Sequence, residues 1–260
     1  MTIVTFLSDF GIVDHYVAAV KAQILSVNRE VTIVDISHSV KVGDIGHAAY
    51  LLKEVFRDFP EGTVHIVGIS NSSSPKTRCI ALKLEGHFFV GEDSGLFSLL
   101  SDIMPHAVVE LNEDSSIQTT FPAKDIMARA AAKLATGIDI QAIGQSIDDI
   151  QRFMPTQAKA TKQQIAGNII RVDHYGNLIT NILKRDFDAI MKINNYSPYE
   201  VNFRREKITK LNNGFSDVAP GECYVLFNSS DKLQIGINQG RGSDLLGLGM
   251  NDQVFIDFKI

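Results

Sequence analysis

Three polar turns carry the side chains best suited to chemistry. The first, Ser8-Asp9-Phe10-Gly11, interrupts a β-rich apolar run and precedes a helical pattern. In an open α/β sheet, ligands bind beyond the carboxyl ends of the strands. A carboxylate there can accept two hydrogen bonds from a ribose diol. The same residue could instead cap the helix that follows. Asp9-Phe10-Gly11 also matches the magnesium tripeptide of protein kinases. No Gly-rich phosphate loop, Val-Ala-Ile-Lys strand or His-Arg-Asp loop accompanies it, which excludes a kinase.

The second turn, Asp173-His174-Tyr175-Gly176-Asn177, offers an acid, an aromatic ring and an amide. Together they could hold an ammonium, stack on a base and bond to a ring edge. A plain hairpin is the alternative, because Gly-Asn suits a tight reversal. The third signal is a pair of turns, Asn228-Ser229-Ser230-Asp231 and the run from Asn238 to Ser243, flanking an apolar strand. Hydroxyls and backbone N–H groups in such turns can hold a carboxylate, and ordinary hairpins are again the alternative. The histidines, His15, His38, His47, His65, His87, His106 and His174, form no His-x-x-x-His set, and no Cys-x-x-Cys occurs. Zinc, or any other metal, is therefore not expected. His65 reads as a hydrogen-bonded core residue.

These turns need strands and helices to position them. Residues 3–7, 31–36 and 63–69 have strand chemistry. Between them, Val17, Val20, Ile24 and Leu25 share one helix face, and a second helix starts after Asp44 and stops before Pro60-Glu61-Gly62. Strands are expected at 79–84 and 88–91 around a Glu85-Gly86-His87 turn, and an alanine-rich helix at 126–136 ended by Gly137. The alternation predicts an α/β domain over residues 1–157 with a mostly parallel sheet. A polar linker at 156–164 follows. Short strands at 165–172, 178–182, 223–228, 232–237 and 253–259, with no long helical pattern between them, predict a smaller all-β, barrel-like domain over 165–260. A cleft where the domains meet is the default ligand site.

Composition sets the outer limits. The 260 residues are 45% hydrophobic and 21% charged, which excludes disordered, collagen-like and coiled-coil chains. With 25 basic against 30 acidic residues, the net charge of −5 leaves no surplus to neutralise a phosphate backbone, so a nucleic-acid partner is not expected. Cys79 and Cys223 lie in apolar runs and read as buried thiols. No signal peptide and no membrane-spanning stretch is recognisable, so a cytoplasmic location and no membrane partner are expected.

Taken together and in order, several segments resemble one family over nearly the whole chain. They are residues 5–11 (Thr-Phe-Leu-Ser-Asp-Phe-Gly), 34–39 (Val-Asp-Ile-Ser-His-Ser) and 59–65 (Phe-Pro-Glu-Gly-Thr-Val-His). Further on come 90–98 (Val-Gly-Glu-Asp-Ser-Gly-Leu-Phe-Ser), the run from Val172 to Ile182, and Ile237-Asn238-Gln239-Gly240. The family is that of S-adenosylmethionine (SAM) hydroxide adenosyltransferases, which includes fluorinase and chlorinase. The resemblance implies a trimer with sites between neighbouring protomers and SAM as substrate or ligand, with no further cofactor. It implies cleavage at C5′, where water or a halide displaces methionine. By the same resemblance, Asp9 holds the ribose hydroxyls and Asp173 the methionine ammonium. Tyr175 lies beside adenine, Asn177 contacts the nucleoside, Asn238 lies near the base, and Ser229 meets the methionine carboxylate.

The reactive positions depart from the family. Its hydrolases carry Asp-Pro-Gly-Val-Gly-Thr before an arginine, and later Phe-His-Gly-Arg-Asp. The matching stretches here run from Ser70 to Arg78 and from Phe121 to Asp125. Ser70 replaces the aspartate, Thr77 the arginine (Arg78 is its neighbour) and Pro122 the histidine. Ala123 stands where fluorinase has its halide-binding serine, and Gly43 where the family has an aromatic wall. Ser70, Ser73, Thr77 and Arg78 are the substitute candidates for orienting water. Three readings stay open: a weak SAM hydrolase, a non-catalytic SAM- or adenosine-binding protein, and a relative with another nucleoside ligand.

Overall fold

The structure is a computed structural model that describes residues 2–69, 78–111 and 119–259. The chain divides into two compact units, Met1–Met154 and Pro155–Ile260. The first runs β1 (Ile3–Ser8), α1 (Tyr16–Val27), β2 (Thr32–Ser37), α2 (Ile45–Val55), β3 (Val64–Gly68), β4 (Cys79–Leu84), β5 (His87–Glu92), β6 (Ala107–Glu110), α3 (Ala128–Ala135) and β7 (Gln145–Ser146). Its seven-stranded sheet has the order β2-β1-β3-β5-β4-β6-β7. Strands β2, β1, β3 and β5 run parallel, whereas β4, β6 and β7 join antiparallel. The expected mostly parallel sheet is therefore corrected to a mixed one. The cause is local: Glu85 (φ 48°) and Gly86 (φ 81°) make a two-residue reversal between β4 and β5. A reversal that short pairs strands only in the antiparallel sense.

The period-two alternation of β1 builds both faces. Val4 and Phe6 pack with Val20 and Ile24 of α1 and the alanines of α3. Leu7 packs with Ala48, Leu52 and Phe56 on the α2 side. The Asp44 carboxylate accepts from His47 N at 2.9 Å, the expected cap of α2. Leu25 differs from its predicted place and is exposed.

The second unit comprises β8 (Lys159–Ala160), β9 (Gln164–Val172), β10 (Leu178–Leu183), α4 (Lys184–Ile193), β11 (Tyr199–Phe203), β12 (Glu206–Ile208), β13 (Cys223–Phe227), β14 (Lys232–Ile237), α5 (Gly242–Leu246) and β15 (Gln253–Phe258). Its eight-stranded antiparallel sheet follows the order β12-β11-β15-β9-β10-β14-β13, with β8 on β9, and is nearly barrel-shaped. Lys159–Ala160 of the stretch read as a linker thus pair with β9. The all-β expectation is also corrected, because α4 is a ten-residue helix. Only Phe187 and Ile190 of α4 are buried, too short an apolar stripe to stand out in the sequence.

A buried histidine pair lies on the α2 face of the first sheet. The Thr5 hydroxyl meets His65 Nδ1 at 2.7 Å, and His65 Nε2 meets His87 Nδ1 at 3.2 Å. One ring must donate and the other accept, so the two rings cannot both be protonated in this arrangement. Burial pushes His65 down to about 3, with the charge of His87 as a lesser cause, and burial also lowers His87. Below the ordinary histidine value of about 6.5, the unfolded chain takes up protons that the native pair refuses. Stability is then complete above that pH and declines as the medium is acidified. Thermal melts between pH about 6.5 and 5 should show this decline, and His65→Gln should flatten it. An equal slope in the variant would refute the assignment.

Candidate functional site

Asp9 follows β1 at the point where strand order reverses, with β2 on one side of β1 and β3 on the other. Parallel sheets bind ligands at this edge and at this reversal. The Asp9 N–H donates to Gly68 O, the last residue of β3, at 3.2 Å. The buried Asp9 carboxylate accepts Gly43 N through Oδ2 at 2.9 Å. Gly43 has φ +73°, a left-handed conformation that glycine adopts without steric cost. Asp9 does not cap α1, which starts at Tyr16 after His15 with no side-chain cap.

His38 pins the loop that carries Asp9. Its Nδ1 meets Ser8 Oγ at 2.7 Å, and its carbonyl accepts Gly11 N at 2.8 Å. His38 Nε2 faces Asp35 at 3.1 Å, and Lys21 holds Asp35 at 2.6 Å. The set has the composition of a nucleophile–histidine–acid triad. However, Ser8 is fully buried and its Oγ also accepts Phe10 N at 3.4 Å, so it serves the turn and not an attack.

Aromatic rings stand beside this loop. Phe10 meets Phe121 edge-on at 5.6 Å, and Tyr16 meets Phe121 at 5.5 Å. A Cβ on Gly68 would come within 2.9 Å of the Phe10 ring, so glycine at the end of β3 makes room for it. Phe121 leads into the second reactive segment. Pro122 caps a π-helical turn, Ala123–Met127, ahead of α3. Such turns are concentrated at functional sites. Thr119 donates to Asp125 and holds its carboxyl below the usual range. Pro122 contributes neither a titratable group nor an N–H.

Ser70 and Thr77 lie outside the described residues, and so does Ser73. Arg78 is placed, and its guanidinium is committed. Nε donates to Asp93 Oδ2 at 2.9 Å, and Nη2 to the Asp149 carbonyl at 2.7 Å. Asp93 in turn accepts Gln151 N at 2.8 Å. Burial works against the Arg78 charge, but Asp93 and Asp149 outweigh it and raise its pKa. The side chain thereby fastens residues 149–151 to the end of β5.

In the second unit the Asp173 turn is a hairpin that also gathers polar groups. Asn177 donates to both Asp173 oxygens, N to Oδ1 and Nδ2 to Oδ2, each at 2.8 Å. Gly176 takes φ +84° to close the turn. Arg241 Nη1 and Ser243 N bind the carbonyls of His174 and Gly176, each at 2.8 Å. Tyr175 projects at the tip, 73% exposed. Asn238 Nδ2 donates to Val218 O at 2.8 Å and so anchors the loop before β13.

Asp173, Tyr175 and Asn177 thus share one turn. Ser229 is not brought to it. Its turn precedes β14, while Leu178, just after Asn177, pairs with Ile235 toward the far end of that strand. Sequence reasoning missed Tyr224, whose buried hydroxyl donates to Asn177 Oδ1 at 2.8 Å. Burial pushes that hydroxyl's pKa up, and the charge of Asp173 adds to the shift. Phe215, 60% exposed with its ring 5.8 Å from Tyr224, was also missed. A tyrosine in an apolar strand carries no sequence signal that separates it from core.

The Arg78 contacts can be tested directly. Arg78→Ala should lower unfolding stability in urea by about 1–3 kcal/mol, because buried Asp93 would lose its charged partner. An unchanged midpoint would return Arg78 to the groups available for chemistry.

Comparison with known proteins gives concordant matches. The sequence model of the SAM hydroxide adenosyltransferase N-terminal domain matches residues 4–144, and that of the C-terminal domain matches residues 167–255. The (R)-S-adenosyl-L-methionine hydrolase of Thermus thermophilus is 29% identical over 94% of this chain and 95% of its own. The protein of the same name from Salinispora tropica is 27% identical over 96% of each. A fluorinase from an Actinoplanes species is 28% identical over 72% of this chain and 73% of its own. Among solved structures, an uncharacterized conserved protein from Thermotoga maritima superposes with a TM-score of 0.87. It is 26% identical, with 98% of this chain and 99% of that one covered.

Proposed function

Because the chain belongs to the SAM hydroxide adenosyltransferase family, we propose that it binds SAM and acts on it as a SAM hydrolase. Water attacks C5′, the C5′–S bond breaks, and its electron pair goes to sulfur. Adenosine, neutral methionine and one proton result. The leaving sulfonium is already cationic, so no acid need protonate it. What remains for the protein is to hold the electrophile and orient one water.

The observation that carries this reading is the buried Asp9 carboxylate, aimed by the Gly43 N–H at the strand-order reversal. In this reading Asp9 takes the ribose hydroxyls and Asp173 the methionine ammonium. Tyr175 lies against adenine, with Asn177 and Asn238 at the nucleoside. Ser229, in the turn ahead of β14, is assigned to the methionine carboxylate by the same family resemblance. Exposed Ile12, Val13 and Val42, close in sequence to Asp9 and Gly43, suit contact with neighbouring copies in a homotrimer. Light scattering that returned the mass of a single chain would count against that assembly. Among the described residues no helix is long and apolar enough to cross a membrane.

A second reading, binding without turnover, is favoured by two observations at the reactive positions. Pro122 offers no group to polarise water, and the Arg78 guanidinium is taken up by Asp93 and Asp149. Incubation with SAM, followed by chromatography for adenosine, separates the two. Adenosine formation that Asp9→Ala abolishes supports the hydrolase. SAM binding without adenosine supports the second reading. Absence of binding to both SAM and adenosine would overturn both.

Two variants give graded expectations. Asp173→Asn should weaken SAM by about tenfold or more, the scale of a lost hydrogen bond to a charged group, and adenosine much less. Equal losses would move Asp173 away from the amino-acid half. Ser70→Asp with Thr77→Arg and Pro122→His should raise adenosine formation by about a hundredfold, the lower range for a positioned proton acceptor.

A further inference from the structure

A line of hydrogen bonds runs along the β13–β14 hairpin and ends on Asp173. Asn228 Nδ2 donates to Gln234 Oε1 at 3.4 Å, and Gln234 Nε2 donates to Tyr224 Oη at 3.3 Å. Tyr224 Oη donates to Asn177 Oδ1 at 2.8 Å, and Asn177 Nδ2 donates to Asp173 Oδ2 at 2.8 Å. The Asn228 oxygen is itself held by the N–H groups of Ser230 and Lys232, at 3.0 and 3.1 Å. Every donor in the line therefore points toward the carboxylate. A hydroxyl that donates to one amide and accepts from another leaves neither amide free to flip.

The space for this line is built into the strand. A Cβ on Gly236 would fall 2.3 Å from Tyr224 Oη and 2.7 Å from Asn177 Oδ1. Only glycine at that position lets the two groups meet. Among the described residues no lysine or arginine pairs with Asp173. Its hydrogen bonds from Asn177 are neutral, so among the described residues the carboxylate's charge is left unmatched.

We propose that Tyr224 is a positioning residue, which locks the Asn177 amide against Asp173 and so presents an oriented, uncompensated carboxylate to a cationic amino group. This rests on the reading of Asp173 as the seat of the SAM ammonium. The relay fixes which carboxylate lone pairs remain for that ammonium. It should therefore discriminate SAM from ligands that lack the amino-acid half.

The test is calorimetric titration of SAM and of adenosine into wild type, Tyr224→Phe, Asp173→Asn and the double variant, with thermal melts alongside. Tyr224→Phe keeps the buried ring and removes only the hydroxyl. It should weaken SAM by about tenfold, as expected for a hydrogen bond that acts on a charged group, and adenosine by clearly less, the smaller loss coming from a loosened Asn177 at the nucleoside. In the Asp173→Asn background the same change should cost SAM little, because residues acting through one another are not additive. Gly236→Ala should reproduce the Tyr224→Phe pattern. A lower melting temperature with equal losses for both ligands, or full additivity in the double variant, would overturn the proposal. Unchanged SAM affinity in Tyr224→Phe would overturn the relay alone, whereas wild type that binds no SAM would overturn the reading beneath it as well. Hydrogen exchange of the Asn177 side-chain amide reports the relay without any ligand. It should be slow in wild type and fast in Tyr224→Phe, and equal rates in the two would overturn the proposal.

Discussion

A buried carboxylate has to be turned in one direction and held there, and much of the first unit follows from that requirement at Asp9. One group that holds it is a backbone N–H from Gly43, presented by a left-handed residue just ahead of α2. A side chain at Gly43 would strain that conformation by roughly 1–2 kcal/mol. Asp44, next in the chain, must meanwhile cap the helix. His38 ties the other side of the loop through its ring and its carbonyl. The ends of two parallel strands, a capped helix and one histidine thus converge on a single carboxylate orientation.

The molecule treats its carboxylates in two ways, and the difference carries chemical meaning. Asp93 receives an arginine, and that pair closes the structure by fastening a distant segment. Among the described residues Asp173 receives only amide donors, and the side-chain amide is backed by a tyrosine hydroxyl. An ion pair spends the charge within the fold. Neutral donors orient the carboxylate and leave its field available to a ligand. A cationic substrate with an ammonium at one end suits the second arrangement.

Against the family segments that it resembles, the chain differs at Ser70, Thr77 and Pro122 and matches at Asp9 and Asp173. Displacement of a sulfonium asks little of acid or base groups, since the leaving group departs neutral. Loss of a holding group removes the complex itself, whereas loss of a water-orienting group removes only part of the rate.

The order of chemical turns along the chain was enough to place it in a family and to single out Asp9, Asp173, Tyr175 and Asn177. Short apolar runs bounded by turn residues located β1, β3 and the β13–β14 hairpin, and a helical repeat of apolar positions located α2. The mixed sheet follows from the Glu85-Gly86 reversal, a turn that the sequence shows. Helix α4 was missed because two buried residues make too weak a stripe. Tertiary structure alone decided that Gly43 serves Asp9, that Arg78 is a fastener, and that Tyr224 and Gly236 belong to the Asp173 turn. These are contacts between residues far apart in the chain. Spacing along a sequence reports which face of an element a residue takes, and only the packing of one element on another reports what that face meets.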